Sequence, residues 1–563
     1  MSYRKIFKIA PADKHLQKIF SDKLGISVIL AQILINRGIN TPDEAANFLA
    51  AKLDSLLDPY TFEDMPQAVR MIKQAAKNKD KVMVFSDYDV DGITSLVLLK
   101  TVLIKLGLDV THYLPHRVKE GYGLNKNILR LVKDRKIKLL ITADCGTNNP
   151  QQIQELRQHN IDVIVTDHHE PVHSDIALGA SATINPKLRN SSYKYRDLAG
   201  VGVAYKFCQA ITGKTLFEDL DLVCLGTIAD VVPLTGENRV IVKEGLAKIA
   251  QTKRMGLKAL MKSSGIKDKK ITPMSVSYIL GPRLNASGRM DTAETSLNLL
   301  MSEREEEAAE LAGIIEKHNR ERQKIEKKIL EEASDLIDKE INFKEHTVIV
   351  LAKEDWHQGV LGIVASKLAD RFYRPVIIIS KTNNLCKGSG RSIKNFHLFA
   401  ALSQCSEFLN NFGGHSHAVG LVIAKENIEH FKNKINRLAK EKLFFYDLVP
   451  SLEIDMELSF ADLNEDIIAQ LQDLEPFGTG NPQPLFYTRN LKLKGEPQVL
   501  GRDTLKFWVS DGNIAYQAIG FGMGGSKEIL VNSDSFDLAY CPRIDDWQGE
   551  SGVLLEVKDI SAR

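Results

Sequence analysis

KVMVFSDYDVDG, residues 81–92, is the stretch whose reading decides the fold. Lys81 to Ser86 form a short, almost unbroken apolar run, and Asp87, Asp89 and Asp91 follow at once, ahead of Gly92. A strand that reads as continuously apolar is one buried on both faces, as in a parallel sheet covered by helices on each side. Downstream the same rhythm repeats in TSLVLLKTVLIKL, VTHYL, LLIT, VIVT and ATIN. The pattern predicts an α/β fold on a parallel sheet, and in such folds ligands bind beyond the carboxyl ends of the strands.

The aspartates lie at such an end. Residues two apart on an extended segment share a face, so the spacing predicts three converging carboxylates. Crowded carboxylates repel one another, divalent cations relieve that repulsion, and oxygen donors favour magnesium or manganese. D-x-D-x-D-G also opens the calcium loop of an EF-hand. There the twelfth position is Glu, whereas here, counted from Asp87, it is Leu98, and a strand rather than a helix precedes the motif.

Three more segments place ligand-type residues at the ends of apolar runs: Asp144 in LLITADCGTNN, Asp167-His168-His169 after VIVT, and Asp230 in CLGTIADVVPL. Singly, an Asp after a strand caps a turn and a His pair packs structurally. Asp230 interrupts an apolar stretch, where a carboxylate without a partner is expensive to bury. Adjacent side chains on an extended segment diverge, so one imidazole of the pair can meet a metal while the other faces substrate. All four segments at the mouth of one sheet exceed what caps and turns explain.

Working outward, Thr41-Pro42-Asp43-Glu44 is a helix start with a reciprocal capping pair. It belongs to a helical region over residues 1–58, ahead of an α/β catalytic domain over 59–290. Residues 291–340 are rich in Glu, Lys and Leu, with Leu311, Ile315, Ile325, Ile329 and Leu336 at helical spacing. This predicts a long connecting helix with a solvated surface, because His318 and Arg322 interrupt the seam a coiled coil needs. A second α/β domain follows over 341–449, with HTVIVLA and RPVIIIS as strands around the helix GVLGIVASKLADRF. Over 450–563 the signal is β-rich, with an Asp511-Gly512 hairpin cue between LKFWV and IAYQAIGF, and predicts a small barrel.

At 563 residues the chain is long enough for several domains, and 44% hydrophobic with 26% charged residues is ordinary for a globular protein. The six cysteines are scattered without a C-x-x-C pair, which fits a reducing compartment and excludes a zinc ribbon or redox motif. A net charge of +2 leaves any basic groove local. There is no apolar run of membrane-spanning length, and the N-terminal residues lack the apolar core of a secretory signal, so a cytoplasmic protein without a membrane association is expected.

DYDVDG, ADCG, DHH and GTIADVVPL, in this order, resemble the four motifs of the DHH phosphoesterase superfamily. WHQGVLGIVASKL, GSGRS and FGGHSHAVG are similar to its DHH-associated domain, and the C-terminal region resembles an OB-fold. EGYGLN (120–125), GPRLNASGRM (281–290) and EPFGTGNPQPLF (475–486) resemble, within that superfamily, the bacterial single-stranded-DNA exonucleases. The resemblance covers nearly the whole chain. It implies two Mn2+ or Mg2+ ions, with Asp89 and Asp91 on separate metals, Asp144 bridging, His168 and Asp230 on the second metal, Asp87 completing the first, and His169 facing the phosphate. Tyr122, Arg283 and Arg289 are the implied groove lining. In the second domain Gly388, Gly390, Gly413 and Gly414 would let a phosphate approach the backbone, with Arg391, Ser392 and His415 donating to it.

The activity so implied is 5′-to-3′ hydrolysis of single-stranded DNA to 5′-mononucleotides in repair and recombination, with a single-strand-binding protein and a helicase as partners. Rival readings are a DHH enzyme for short oligonucleotides, cyclic dinucleotides or pyrophosphate, and a DNA-binding replication scaffold that has lost catalysis. The extra barrel and long helix favour a polymer, and such scaffolds lose carboxylates that this chain retains. Ser86 in place of a frequent Gly, the polar Thr147-Asn148-Asn149 and Val419 in place of a frequent Ala depart from the family pattern, and leave the local shape beside Asp144 open.

Overall fold

The computed structural model describes residues 5–172, 179–382, 384–501, 503–545 and 552–562. Strand β1 (Ile6–Ile9) precedes helices Lys14–Leu24, Val28–Asn36 and Pro42–Ala50. The third starts as its sequence predicts: the Thr41 hydroxyl accepts the Glu44 N–H, and the Glu44 carboxylate accepts the Thr41 N–H. Contacts divide the chain into two compact units, one of Leu57–Val232 with Glu244–Val449, the other of Met1–Leu56 with Pro233–Lys243 and Pro450–Arg563.

In the larger unit, β2 (Lys81–Ser86), β3 (Asp109–Tyr113), β4 (Leu139–Ala143), β5 (Asp162–Thr166) and β6 (Ala182–Ile184) form an all-parallel sheet in the order β3-β2-β4-β5-β6. Met83, Phe85, Leu140, Val163 and Val165 pack on one face with Ile153 and Leu156 of the helix Pro150–Gln158. Val84, Ile141 and Ile164 point the other way and are fully buried, where helices Val90–Lys105 and Gly200–Thr212 cover the sheet. This two-sided burial is why the strands lack polar alternation. The chain direction from β2 runs first to β3 on one side and then to β4 on the other, so the β2/β4 boundary is a topological switch point, the place where such sheets open a crevice.

The register sets the lip of that crevice. Ser86, Ala143, Thr166 and Ile184 lie in one cross-strand row. Backbone N–H groups of the next residues, Asp87, Asp144 and Asp167, continue the ladder by donating to Ala143, Thr166 and Ile184 carbonyls. Three residues that belong to separate motifs are thereby placed side by side.

The second sheet holds β7 (Ile349–Lys353), β8 (Val376–Ser380), β9 (Leu385–Arg391), β10 (Leu409–Gly414) and β11 (Ala418–Ala424) in the order β10-β11-β9-β8-β7. Only β7 and β8 are parallel, and the helix Leu361–Phe372 connects them. The connecting helix starts at Glu305 and runs to Glu340, after a separate helix Glu294–Met301. It is not merely a solvated surface element: Ala308, Ala312, Ile315, Ile329, Ala333 and Ile337 form a buried stripe against neighbouring helices. Arg322, which breaks the apolar seam, is accommodated there by Glu326 at 2.7 Å and Asn319 at 2.8 Å, as burial of a guanidinium requires.

In the smaller unit β12 (Ser451–Ile454) pairs with β1, and β13 (Met456–Glu457), β14 (Phe486–Leu500), β15 (Thr504–Ser510), β16 (Ala515–Phe521), β17 (Phe536–Asp545) and β18 (Gly552–Ala562) form a sheet closed into a barrel by β14–β17 pairing. The Asp511-Gly512 hairpin joins β15 to β16, with Gly512 at φ +105°. Phe20, Leu30, Ile33 and Leu34 from the N-terminal helices share one core with Phe486, Phe507 and Leu538 of the barrel. Local sequence patterns carry no sign of that shared core, since its two halves are some 400 residues apart. Among the described residues no single helix is long and apolar enough to cross a membrane.

Candidate metal centre and arginine cluster

The aspartates of DYDVDG do converge, but not on an extended segment. Asp87 leaves β2, Asp89 is the N-cap of the helix Val90–Lys105 with its carboxylate accepting the Gly92 N–H at 3.1 Å, and Asp91 sits in the first helical turn. The tight turn needs glycine, because a Cβ on Gly92 would lie 2.4 Å from the Asp87 carbonyl oxygen. Asp91 then reaches the start of the helix Gly200–Thr212, where the N–H groups of Gly200 and Val201 donate to its two oxygens at 2.6 and 2.7 Å, the favoured end of a helix for a carboxylate.

Asp144 stands in the left-handed region at φ +59°, a conformation uncommon outside glycine and characteristic of functional sites. Gly200 passes it so closely that a Cβ would lie 2.7 Å from Asp144 Oδ1. His168 Nε2 lies 3.2 Å from Asp144 Oδ1, 3.5 Å from Asp230 Oδ2 and 3.7 Å from Asp91 Oδ2. Ligand atoms of Asp87, Asp89 and Asp144 lie within 4.8 Å of one another, as do those of Asp91, His168 and Asp230, and those of Asp144, His168 and His169.

These groups lack the partners that buried polar atoms ordinarily find. Asp87 Oδ1, Asp144 Oδ1 and His168 Nε2 are buried without a hydrogen bond. Burial and then the Asp89 charge push the Asp87 carboxyl up to about 8, and burial and Asp89 push Asp91 up to about 7. Burial, then the Asp91 charge, raise Asp144 and Asp230 well above the carboxylate range. Burial, reinforced by His169, lowers His168 to about 3, so its imidazole is neutral and its lone pair available. Buried carboxylate oxygens without hydrogen bonds beside a neutral imidazole fit divalent cations: the donor set is oxygen-rich, and two of the three triplets, Asp87-Asp89-Asp144 and Asp91-His168-Asp230, have no member in common.

His169 is held differently. Its Nδ1 lies 2.8 Å from Asp167 Oδ1 and 3.0 Å from the Tyr122 hydroxyl. Asp167 Oδ1 also accepts the His168 and His169 N–H groups, and Oδ2 accepts the Thr147 N–H. Burial alone would raise Asp167, but the charge and hydrogen bond of His169 outweigh it and hold this carboxyl well below the usual range. Burial likewise opposes a charge on His169, yet Asp167 lifts it above the ordinary imidazole value. The sequence marks Asp167 with the two histidines but assigns it no role; its hold on His169 appears only in the structure.

The polar triplet beside Asp144 acquires definite work. Asn185 donates to Thr147 Oγ1 and the His169 carbonyl, Asn148 bridges the Glu170 carbonyl and Val172 N–H, and Asn149 Oδ1 accepts the Leu124 N–H. It fastens the loops that carry His169 and Tyr122.

In the second sheet the glycines divide. Gly388 and Gly390 serve packing rather than phosphate approach: Cβ atoms there would meet Leu421 and Ile379, or Val419 and Leu398, at 2.7 to 3.1 Å. Gly413 has open space where a side chain would be, and Gly414, at φ +131°, turns the chain into His415, whose ring is 6.0 Å from that of His169. Burial, then His169, lowers His415 below its ordinary value. The Ser392 hydroxyl donates to the Phe396 carbonyl and is committed to a turn. Arg283 pairs with Glu316 at 2.8 Å and donates to the Ile279 carbonyl.

Arg289 and Arg391 behave otherwise. Arg289 donates to the Gly359 carbonyl and Arg391 to the Gly390 carbonyl. Both guanidinium values are depressed by burial and then by the charge of Arg117, with Arg322 and Arg391 adding to the effect at Arg289. Arg117 stacks over Tyr88, between Asp87 and Asp89, at 4.3 Å. Among the described residues none of Arg117, Arg289 and Arg391 has a carboxylate in ion-pair range. Arg117 was missed in the sequence because a lone arginine in a loop carries no pattern.

Residues 81–227 match the DHH family N-terminal domain, 345–441 the DHHA1 domain and 454–559 the RecJ OB domain. A Bacillus subtilis protein named single-stranded-DNA-specific exonuclease RecJ is 37% identical over 556 residues, which cover 98% of this chain and 70% of that protein. The chain belongs to the RecJ family. The crystal structure of Thermus thermophilus RecJ in complex with Mn2+ matches with a TM-score of 0.86 at 26% identity, covering 100% of this chain and 80% of that one. The Mg2+ complex of the same protein matches at 0.78 and 25% identity, covering 99% and 78%. The DHH match contains both metal triplets except Asp230, which lies three residues beyond its end, and the DHHA1 match contains Arg391 and His415.

Proposed function

We propose that this chain is a metal-dependent exonuclease specific for single-stranded DNA, hydrolysing from the 5′ end and releasing 5′-mononucleotides in DNA repair and recombination. The observation that carries the reading is the pair of ligand triplets in which Asp87 Oδ1, Asp144 Oδ1 and His168 Nε2 are buried without a hydrogen bond, in a member of the RecJ family. Asp87, Asp89 and Asp144 would hold one Mn2+ or Mg2+ ion and Asp91, His168 and Asp230 the other, with Asp144 shared between them. Two such ions supply Lewis acidity at the phosphate and lower the pKa of a water.

The chain's own residues do the rest. With Nδ1 occupied by Asp167, His169 has its Nε2 free to donate to a phosphate oxygen, and the Tyr122 hydroxyl keeps the ring from rotating away. Arg117, Arg289 and Arg391 bring uncompensated positive charge near the acidic lip, which suits a terminal phosphate and gives recognition of the strand's end. On the barrel, exposed Trp508 stands opposite Lys494 and beside Gln517, a pairing of aromatic and cation suited to an unpaired strand. A cytoplasmic location, and a single-strand-binding protein and a helicase as partners, complete the reading; pull-downs with each purified partner test the last.

The test is to strip the protein of metal, restore manganese or magnesium, and offer 5′- and 3′-labelled DNA and RNA. Mononucleotide released first from 5′-labelled DNA, and only with metal, is expected. Release from the 3′ label, or equal activity on RNA, would refute polarity or specificity.

A further inference from the structure

Val231 follows Asp230 directly and stands at φ +63°. It occupies the position just past the helix Leu220–Ala229, with Asp230 as the C-cap. Left-handed residues are common at that point and unbranched ones such as Ala51, Lys79 and Tyr373 take it elsewhere in this chain, but a β-branched side chain there is a true outlier. Val231 is 64% exposed, so burial of its isopropyl group does not repay the strain. A second backbone irregularity lies against the same helix. Val276–Leu280 form a π-helical turn, a rare geometry often found at functional sites, and the turn packs on Leu220–Ala229. It presents Tyr278 at 76% exposure. Two irregular segments, one following the Asp230 C-cap and one packed on the helix that Asp230 ends, thus display side chains that the fold does not bury, and the strain kept at Val231 points to use outside the fold.

We propose that Val231 and Tyr278 form an apolar rim next to the metal ligands that packs against the unpaired bases of the strand being cut. An isopropyl group offers no hydrogen bond, so its partner is a base face and not a phosphate; a tyrosine ring stacks on any base, which suits an enzyme without sequence preference. The inference rests on the single-strand reading above.

Val231→Gly and Tyr278→Ala are compared with the unaltered chain on ordinary strands and on strands whose terminal nucleotides are abasic, measuring KM in hydrolysis and Kd by fluorescence anisotropy. On ordinary strands KM and Kd should rise roughly tenfold for Tyr278→Ala and about threefold for Val231→Gly, the range that loss of base stacking gives. On abasic strands the variants and the unaltered chain should coincide. The melting temperature of Val231→Gly should equal or exceed that of the parent, because glycine relieves the left-handed strain. Unchanged KM and Kd on ordinary strands, the same penalty on abasic strands, or a clear drop in melting temperature would each overturn the rim. Should the parent chain bind but not hydrolyse, the exonuclease reading fails while the Kd comparison still decides the rim.

Discussion

The acidic lip of the first sheet and the arginine cluster near it hold like charges without counter-charges, yet they are assembled in opposite ways. Asp87 and Asp144 come from strand ends fixed by one register, with Asp91 and Asp230 at helix termini close by. Arg117, Arg289 and Arg391 come from a loop, a helix and a strand of the second sheet. Burial raises the carboxyls in the first group and depresses the Arg289 and Arg391 guanidinium groups in the second. Each cluster is unfavourable until an ion of the other sign arrives, which suits the first to cations and underlies the proposal that the second meets a phosphate.

The sharpest break of this comparison is Asp144→Ala. Removing the carboxylate proposed to serve both seats should lower hydrolysis by at least about a thousandfold, while the metal-free protein melts no lower, since the cost of burying that carboxyl has gone. Metal titration followed by thermal melting would show the loss of ion-dependent stabilisation; near-normal turnover would sink the shared-ligand arrangement. Asp167→Asn probes orientation instead of charge number. It keeps the shape but weakens the hold on His169, and a roughly tenfold to hundredfold loss in kcat with KM little changed is expected, as for other residues that orient a site. A KM effect alone would mean that His169 only binds.

On the basic side, Arg117→Ala and Arg391→Ala should each raise KM on 5′-phosphorylated strands about tenfold to a hundredfold, from loss of ~1.5 to 3 kcal/mol of charge-assisted bonding. Strands with a 5′-hydroxyl should show little change. Equal effects on both substrates would remove the arginines from end recognition.

pH separates the clusters once more. Asp87 and Asp91 have folded-state values near 8 and 7, above those of an unfolded chain. Their protonated forms therefore favour the folded state, fully below about pH 4, and this contribution fades as pH rises toward 8. Metal-free protein should melt at progressively lower temperature between pH 5 and 8, and saturating Mn2+ should cancel the slope, because the ions replace the protons. A flat metal-free profile would contradict the unpartnered carboxylates. The smallest effect belongs to the barrel: Trp508→Ala should weaken binding of long strands by about 1 kcal/mol, roughly fivefold, without altering cleavage of very short ones. Substitution is the suitable probe there, since deletion from residue 451 onward would strip Phe20, Leu30 and Ile33 of their core.

Much of this was legible in the chain. The apolar runs marked the strands, the Thr41 to Glu44 capping pair and the Asp511-Gly512 turn read correctly, and the acidic segments named the ligand types. The reading faltered where partners are distant. Gly388 and Gly390 looked like phosphate contacts, but Leu421 and Val419 fill the space beside them, and the Glu316 partner of Arg283 left no trace in its spacing. A side chain's availability depends on what else reaches it, and sequence spacing holds no record of that.

By itself, the sequence determined the chemistry available: strand-ending aspartates and histidines of the type that hold hard divalent ions, and an order of motifs belonging to one superfamily. Only the tertiary structure decided how they meet. The parallel register set Asp87, Asp144 and Asp167 in one row, the Asp89 cap turned Asp91 toward the Gly200 and Val201 amides, and the same packing left Asp144 Oδ1 and His168 Nε2 buried without a hydrogen bond. The physical reason is range. Strand and cap signals act over a few residues, where the local chain dictates them, whereas the protonation and freedom of a buried group are set by burial and by charges contributed from segments a hundred or more residues away.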